Sequence, residues 1–471
     1  MSEQQPPGPK GRLIWGSTAD FQKDRLNFLL NLVREYGDVV NFRLAHLQIY
    51  LLANPAHIRE VLVTQVDKFP KAPLSRKILG KFLGNGLLTS EGDFHRRQRR
   101  LAQPAFHHSR ISQYATTMTA YTEQMLAQWR PGEIRNIADD MERLTMFIVA
   151  KTLFDADAVA SQETAVTVGQ AIHELQRVSS DDFERGFMLP DWLPTPNNRA
   201  RRRAVAAFDG VVRQIIAARR ETAVNGQIED RGDLLSMLML AQDEDGAAMD
   251  DQQLRDEVAT LFAAGHETTA NTLAWTWYLL AQHPDVTARL HEELDMVLDG
   301  RTPTLDDLPR LPYTLMIIKE AMRLYPPAWV LNGRQAQEDV EMGGYIIKKG
   351  GIIFISPYVM HRLPQYFPDP ERFDPERFTP EREKALPRFV YMPFGGGPHI
   401  CIGNSFALME AHLILATIAQ RYRLQRPPGQ TVEPLPQITL SPQDGLWLEV
   451  TERERAQDRA MVGVMGNQVI G

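Results

Sequence analysis

The pattern of the chain predicts a mainly α fold with minor β, and three observations carry that prediction. From Asn54 to Gln282 apolar residues recur at helical spacing with few breaks. Only two stretches, residues 38–53 and Val340 to Ile355, have the β-rich runs expected of hairpins. Near the middle lies a long apolar helix, from about Asp250 to Gln282. Leu254, Val258 and Phe262 recur there at i+4 before a Trp- and Leu-rich end, so this helix is expected to cross the core.

Taken in order, Pro6-Pro7-Gly8-Pro9 makes residues 1–15 a stiff, non-helical lead-in. Phe21 to Tyr36 reads as an amphipathic helix stopped by Gly37. The hairpin of 38–53 follows, then the helical region, with loops at 66–90, 184–199 and 224–232. A helix from about Leu311 to Tyr325 precedes the second β patch, where Gly343-Gly344 and Gly350-Gly351 supply turns. Residues 363–398 are rich in proline and aromatics and are expected to be irregular coil. A helix at about 404–421 and short strands to about 450 complete the fold. The tail, 453–471, is charged and then glycine-rich, and is expected to fray. No repeat or low-complexity linker divides the chain, so one domain over 1–471 is expected.

Composition narrows the function. With 43% hydrophobic and 24% charged residues, the 471-residue chain fits a globular protein with a sizeable core. A net charge of −7 points away from nucleic acid. One cysteine excludes an intrachain disulfide framework, a CxxC zinc site and an iron–sulfur cluster. No run of about 18 apolar residues is present, so no transmembrane helix is expected. The first residues lack the apolar stretch of a signal peptide, and a cytoplasmic location is expected.

That single cysteine, Cys401, lies in Phe394-Gly395-Gly396-Gly397-Pro398-His399-Ile400-Cys401-Ile402-Gly403, just before a helix. An isolated thiol is usually a small buried hydrophobe, and a glycine-rich turn beside such a thiol is the plain alternative here. Glycines, however, let a backbone approach a flat ligand. A helix start beside the sulfur favours its thiolate. Haem iron is the leading candidate partner.

Here the chain resembles the cytochrome P-450 superfamily of haem-thiolate monooxygenases. Phe394, Gly397, His399, Cys401 and Gly403 match its pattern of Phe, two residues, Gly, one residue, Arg or His, one residue, Cys, one residue, Gly. The resemblance implies a single triangular-prism-like domain with a long central helix over haem b (iron protoporphyrin IX), ligated by Cys401. Three further motifs follow in the family's order.

Ala264-Gly265-His266-Glu267-Thr268-Thr269 falls inside the central helix. Gly265 there costs about 1 kcal/mol relative to Ala, which argues for a steric purpose. Thr268 can turn its hydroxyl back to the carbonyl of Ala264 and open the helix locally. The resemblance implies a groove for dioxygen, with Thr268 steadying it and Glu267 feeding protons. A zinc-protease signature fails, because position 270 is Ala. Glu320-Ala321-Met322-Arg323 places two charges on one helix face, and Arg377 offers a completing guanidinium. The family uses that triad structurally. Finally, Phe94-His95-Arg96-Arg97-Gln98-Arg99-Arg100 is a solvated charge run by its own pattern. Under the resemblance Arg99 binds a haem propionate, His95 replaces the usual Trp, and Arg334 and His399 add propionate contacts. Arg96, Arg97 and Arg100 would then steer an acidic electron donor.

Family precedent places substrate contacts at Phe82, Leu83, Leu87, Leu88, Phe262, Ala263, Ala264, Pro327, Val330, Leu331, Leu440 and Leu446. These are apolar, so a lipophilic substrate is expected: a fatty acid, terpenoid or polyketide, with the motif wording leaning to a long-chain fatty acid. Electrons would come from a separate ferredoxin or flavodoxin/reductase. Two rivals remain. One is a haem-thiolate isomerase, dehydratase or peroxide-driven hydroxylase, disfavoured by the intact Glu267–Thr268 pair. The other is a non-enzymatic haem sensor or carrier, disfavoured by the apolar access elements.

Overall fold

The computed structural model describes residues 4–155, 162–222, 228–242, 246 and 248–453. The tail expected to fray thus lies, but for Arg453, outside the described residues.

The central helix spans Asp251–Leu280. Asp250 caps it, its carboxylate accepting from the Gln253 amide at 2.8 Å. It is buried on nearly every face, polar residues such as Glu257, His266 and Asn271 included, and the helix Ile137–Phe154 packs along it. The two approach closely at Gly265, where an added Cβ would lie 3.2 Å from a Val149 methyl. That contact is the steric purpose of this glycine. The helices Pro312–Leu324 and Asn404–Arg421 complete a large core around the central helix.

A second, smaller core surrounds a four-stranded sheet. Its order is Val39–Leu44, Leu47–Leu52, Ile352–Ile355, Arg334–Gln335, and the two middle strands run parallel. Tyr325 packs against both cores, stacked on Trp275 at 4.1 Å.

Several boundaries differ from the sequence expectations. The helix expected over Phe21 to Tyr36 is two, Thr18–Lys23 and Arg25–Tyr36. Asp24 leaves the helical conformation between them and caps the second, accepting from the Asn27 amide at 3.1 Å. The loop expected at 66–90 contains the helix Pro73–Leu83, started by Pro73 at its first turn and ended by Gly84 at φ +64°. Within 363–398 there is a short helix, Pro380–Ala385. The helix Gln162–Arg185 and the helix Pro196–Glu221 lie either side of the expected 184–199 loop.

Candidate active site

Cys401 sits on a loop held by its own backbone. Its amide donates to the Phe394 carbonyl at 3.0 Å, and Ile400 N donates to Gly397 O at 3.1 Å. Gly395 and Gly397 both take φ +70°, which glycine adopts without steric cost. At Gly397 a Cβ would stand 1.9 Å from the Leu62 carbonyl oxygen, so the loop presses against the N-terminal segment. The helix Asn404–Arg421 begins three residues on. Cys401 is accessible from a cavity of about 540 Å³ that it lines. The surrounding protein still pushes its thiol pKa up by burial, opposed by the Gly403 amide and the Arg99 charge.

Along one side of that cavity a cluster of donors converges. His95, Arg99, Arg334 and His399 all line it, joined by Lys71. His95 and His399 lie ring to ring, centroids 4.1 Å apart. Arg99 Nη1 donates to the Ile400 carbonyl at 2.7 Å, tying its helix to the cysteine loop. Burial, reinforced by Lys71 and then neighbouring arginines, pushes His95 down to about 4 and His399 to about 2. Burial pulls Lys71 down to about 7, although Glu91 opposes it. Glu91 is the nearby anion: it accepts from the Lys71 amide at 2.8 Å, and lies 3.5 Å from Arg334 and 3.6 Å from His399. Lys71 Nζ donates to the Ser90 carbonyl at 2.7 Å, but one carboxylate does not answer both Arg334 and His399. Arg334 Nε and His399 Nδ1 are buried with no hydrogen-bond partner among the described residues.

These features fit haem. A thiol on a loop cleared of side chains suits an iron ligand. Under-answered cations on the same cavity suit the two propionate carboxylates. Lys71 and Glu91 were not anticipated from the sequence, because nothing local distinguishes them from surface charges.

On the central helix, Ala264, Gly265, Glu267 and Thr268 line the cavity. Thr268 Oγ1 donates to the Ala264 carbonyl at 2.9 Å. The helix nevertheless stays α-helical there, so the expected local opening is absent. Glu267 is buried, and its Oε1 accepts from the Thr439 hydroxyl, which in turn accepts from Asn271 Nδ2 at 3.3 Å.

Most anticipated substrate contacts line the cavity: Phe82, Leu83, Leu87, Leu88, Ala263, Ala264, Pro327, Val330 and Leu331. Phe262 does not. Its ring lies 5.9 Å from Phe154 and 6.1 Å from Phe208, and it is only 1% exposed. The roughly 100° turn between successive helical residues aims it away from Ala263. Leu440 and Leu446 are likewise fully buried core residues.

The Glu320 cluster is separate from the cavity. Arg323 grips Glu320 through two bonds of 2.7 and 2.8 Å and donates to the carbonyls of His361, Pro370 and Arg372. Glu320 Oε1 also accepts from Asp374 N at 2.9 Å. Arg377 completes the triad more loosely, its Nε 3.4 Å from Glu320 while Nη2 donates to Asp369 O.

Comparison with known proteins agrees with this geometry. Residues 6–448 match the family model described as Cytochrome P450. The chain is 41% identical over 424 residues to cyclooctat-9-en-7-ol 5-monooxygenase of Streptomyces melanosporofaciens, covering 89% of each chain. It is 36% identical over 447 residues to pentalenene oxygenase of Streptomyces avermitilis, covering 94% of this chain and 96% of that one. Among solved structures, retinoic acid-bound cyanobacterial CYP120A1 superposes with a TM-score of 0.85 at 27% identity, over 96% of this chain and 100% of that one.

Proposed function

The chain belongs to the cytochrome P450 family, and we propose that its substrate is a terpenoid, oxidised at haem b held by Cys401. It is a haem-thiolate monooxygenase that inserts one atom of dioxygen into a lipophilic substrate, with electrons from redox partners. Among the described residues no helix is long and apolar enough to cross a membrane. The terpenoid reading is supported by the two Streptomyces relatives, both named for terpenoid oxidation and more than a third identical over almost the whole chain. It replaces the fatty acid towards which the motif wording leaned.

The observation that carries the site assignment is the shared cavity: the Cys401 thiol, the Thr268 hydroxyl and apolar walls all open onto it. Haem held by a cysteine thiolate supplies the dioxygen-cleaving chemistry. Cys401 Sγ would be the ligand. Lys71, His95, Arg99, Arg334 and His399 would bind and orient the propionates. Thr268 Oγ1 would hold a proton at the cavity wall, and Glu267, its carboxyl group positioned by Thr439, would take up and pass on the next one. Outside, Arg96, Arg99, Arg100 and Arg110 border a basic concavity on the cysteine-loop side, suited to an acidic ferredoxin- or flavodoxin-type donor.

Reduced holoprotein exposed to carbon monoxide should show the strongly red-shifted Soret band of thiolate-ligated haem, and Cys401→Ser should lose it. Retention of that band in the variant would refute the ligand assignment. Thr268→Ala should divert reducing equivalents from product to peroxide. Unchanged coupling would favour the peroxide-driven or isomerase reading.

A further inference from the structure

The outer part of the cavity carries polar side chains that the oxygen chemistry does not use. Gln176, Ser180 and Glu184 are spaced i, i+4, i+8 on the helix Gln162–Arg185, and all three line the cavity. At 1.5 Å rise per residue they form a stripe about 12 Å long. At its outer end Glu184 pairs with Arg25, whose Nη1 also donates to Ser180 Oγ at 3.1 Å and to the Pro436 carbonyl. One guanidinium thus joins the helix Arg25–Tyr36, the helix Gln162–Arg185 and the strand Pro434–Pro436. Its charge is already matched.

Gln176 is different. It is only 5% exposed, it faces the cavity, and its amide has no hydrogen-bond partner among the described residues. Opening on the cavity without such a partner, the amide is free to hydrogen-bond a ligand oxygen, a net gain of about 0.5–1.5 kcal/mol. Carboxamide offers both a donor and an acceptor, so it matches a hydroxyl or carbonyl, and it supplies no counter-charge to a carboxylate.

We infer that Gln176 binds the oxygen of a terpenoid that already carries a hydroxyl or keto group, and that Glu184, by occupying Arg25, keeps carboxylates out. This rests on the terpenoid reading above. The reaction then comes after an oxygen-introducing step, either a hydration or an earlier hydroxylation of the hydrocarbon skeleton. A site selecting for an oxygen rejects the analogue lacking it more strongly than an apolar wall rejects a missing methylene.

The test uses reconstituted holoenzyme and follows the spin-state shift of the Soret band on titration with farnesene, farnesol and palmitic acid. Wild type should bind farnesol about tenfold tighter than farnesene. Gln176→Leu should erase that preference while keeping the carbon monoxide band, with Gln176→Met as a second variant should the leucine protein fail to fold. Glu184→Gln should tighten palmitic acid about tenfold by freeing Arg25, and leave the farnesol-to-farnesene ratio unchanged. Equal wild-type binding of farnesol and farnesene, or a preference that survives in the Gln176 variants, would overturn the inference and leave the terpenoid reading standing. Unaltered palmitic acid binding in Glu184→Gln would overturn the exclusion of carboxylates. Palmitic acid binding by wild type with no response to either farnesyl probe would overturn the terpenoid reading itself.

Discussion

Glu320 with Arg323, and Arg334 with His399, are both buried pairs of polar groups, yet only the first pair is answered by its surroundings. Around Glu320 each carboxylate oxygen accepts from Arg323, and the guanidinium spends its remaining donors on three carbonyls. Beside the cysteine loop, Arg334 and His399 share the single carboxylate of Glu91, and Arg334 Nε and His399 Nδ1 stay unpaired among the described residues. Burying charge is costly unless it is paired and hydrogen-bonded. The saturated Glu320–Arg323 pair therefore belongs to the fold. An unsaturated one belongs to something that binds.

The largest test of that distinction is Glu320→Ala. It strands Arg323, which has no exposed surface, and should cost about 3–5 kcal/mol, read as a collapse of the thermal midpoint. Arg334→Ala should do the opposite: leave the apoprotein's midpoint nearly unmoved but weaken haem retention about ten- to a hundredfold, measured by haem transfer to apomyoglobin. If both variants lowered stability equally, the contrast between the clusters would fail.

Lys71 sharpens the comparison through pH. Its folded pKa, about 7, lies below its ordinary value of 10.5, so the unfolded chain holds the extra proton between those limits. Apoprotein stability should therefore rise with pH from about 7 to 10.5, by up to about 1.4 kcal/mol per pH unit, and level off below 7. Lys71→Met should flatten the slope in urea titrations, and bound haem should flatten it too by supplying anions. A slope unchanged by Lys71→Met would place the titration elsewhere. The smallest effect is expected at the exposed helix pair Glu174–Arg177, where Glu174→Ala should shift stability by under about 0.5 kcal/mol.

How much of this was legible depended on whether the signal was local. The helix 404–421 and the central helix declare themselves by apolar runs and flanking glycine or aspartate, and they stand where expected. The helix Pro73–Leu83 was hidden because Gly80, Pro73 and Gly84 read as loop punctuation. Phe262 and Ala263 are adjacent in sequence, and only the rotation of the helix decides which faces the cavity. Gln176 reads as the polar side of an amphipathic helix, since sequence does not say that this face is covered. Lys71 and Glu91 acquire meaning only when distant segments converge on Arg334 and His399.

The contact between Gly397 and the Leu62 carbonyl has a consequence for the order of assembly. Those two residues come from opposite ends of the chain, and the cysteine loop takes its shape against the earlier one. During synthesis the Leu62 segment must wait for most of the polypeptide before the loop it seats is made. Contacts of such long sequence separation form late and slowly. Cofactor capture is then a closing event of maturation, and limited cofactor supply should accumulate a nearly complete chain whose last step is pending.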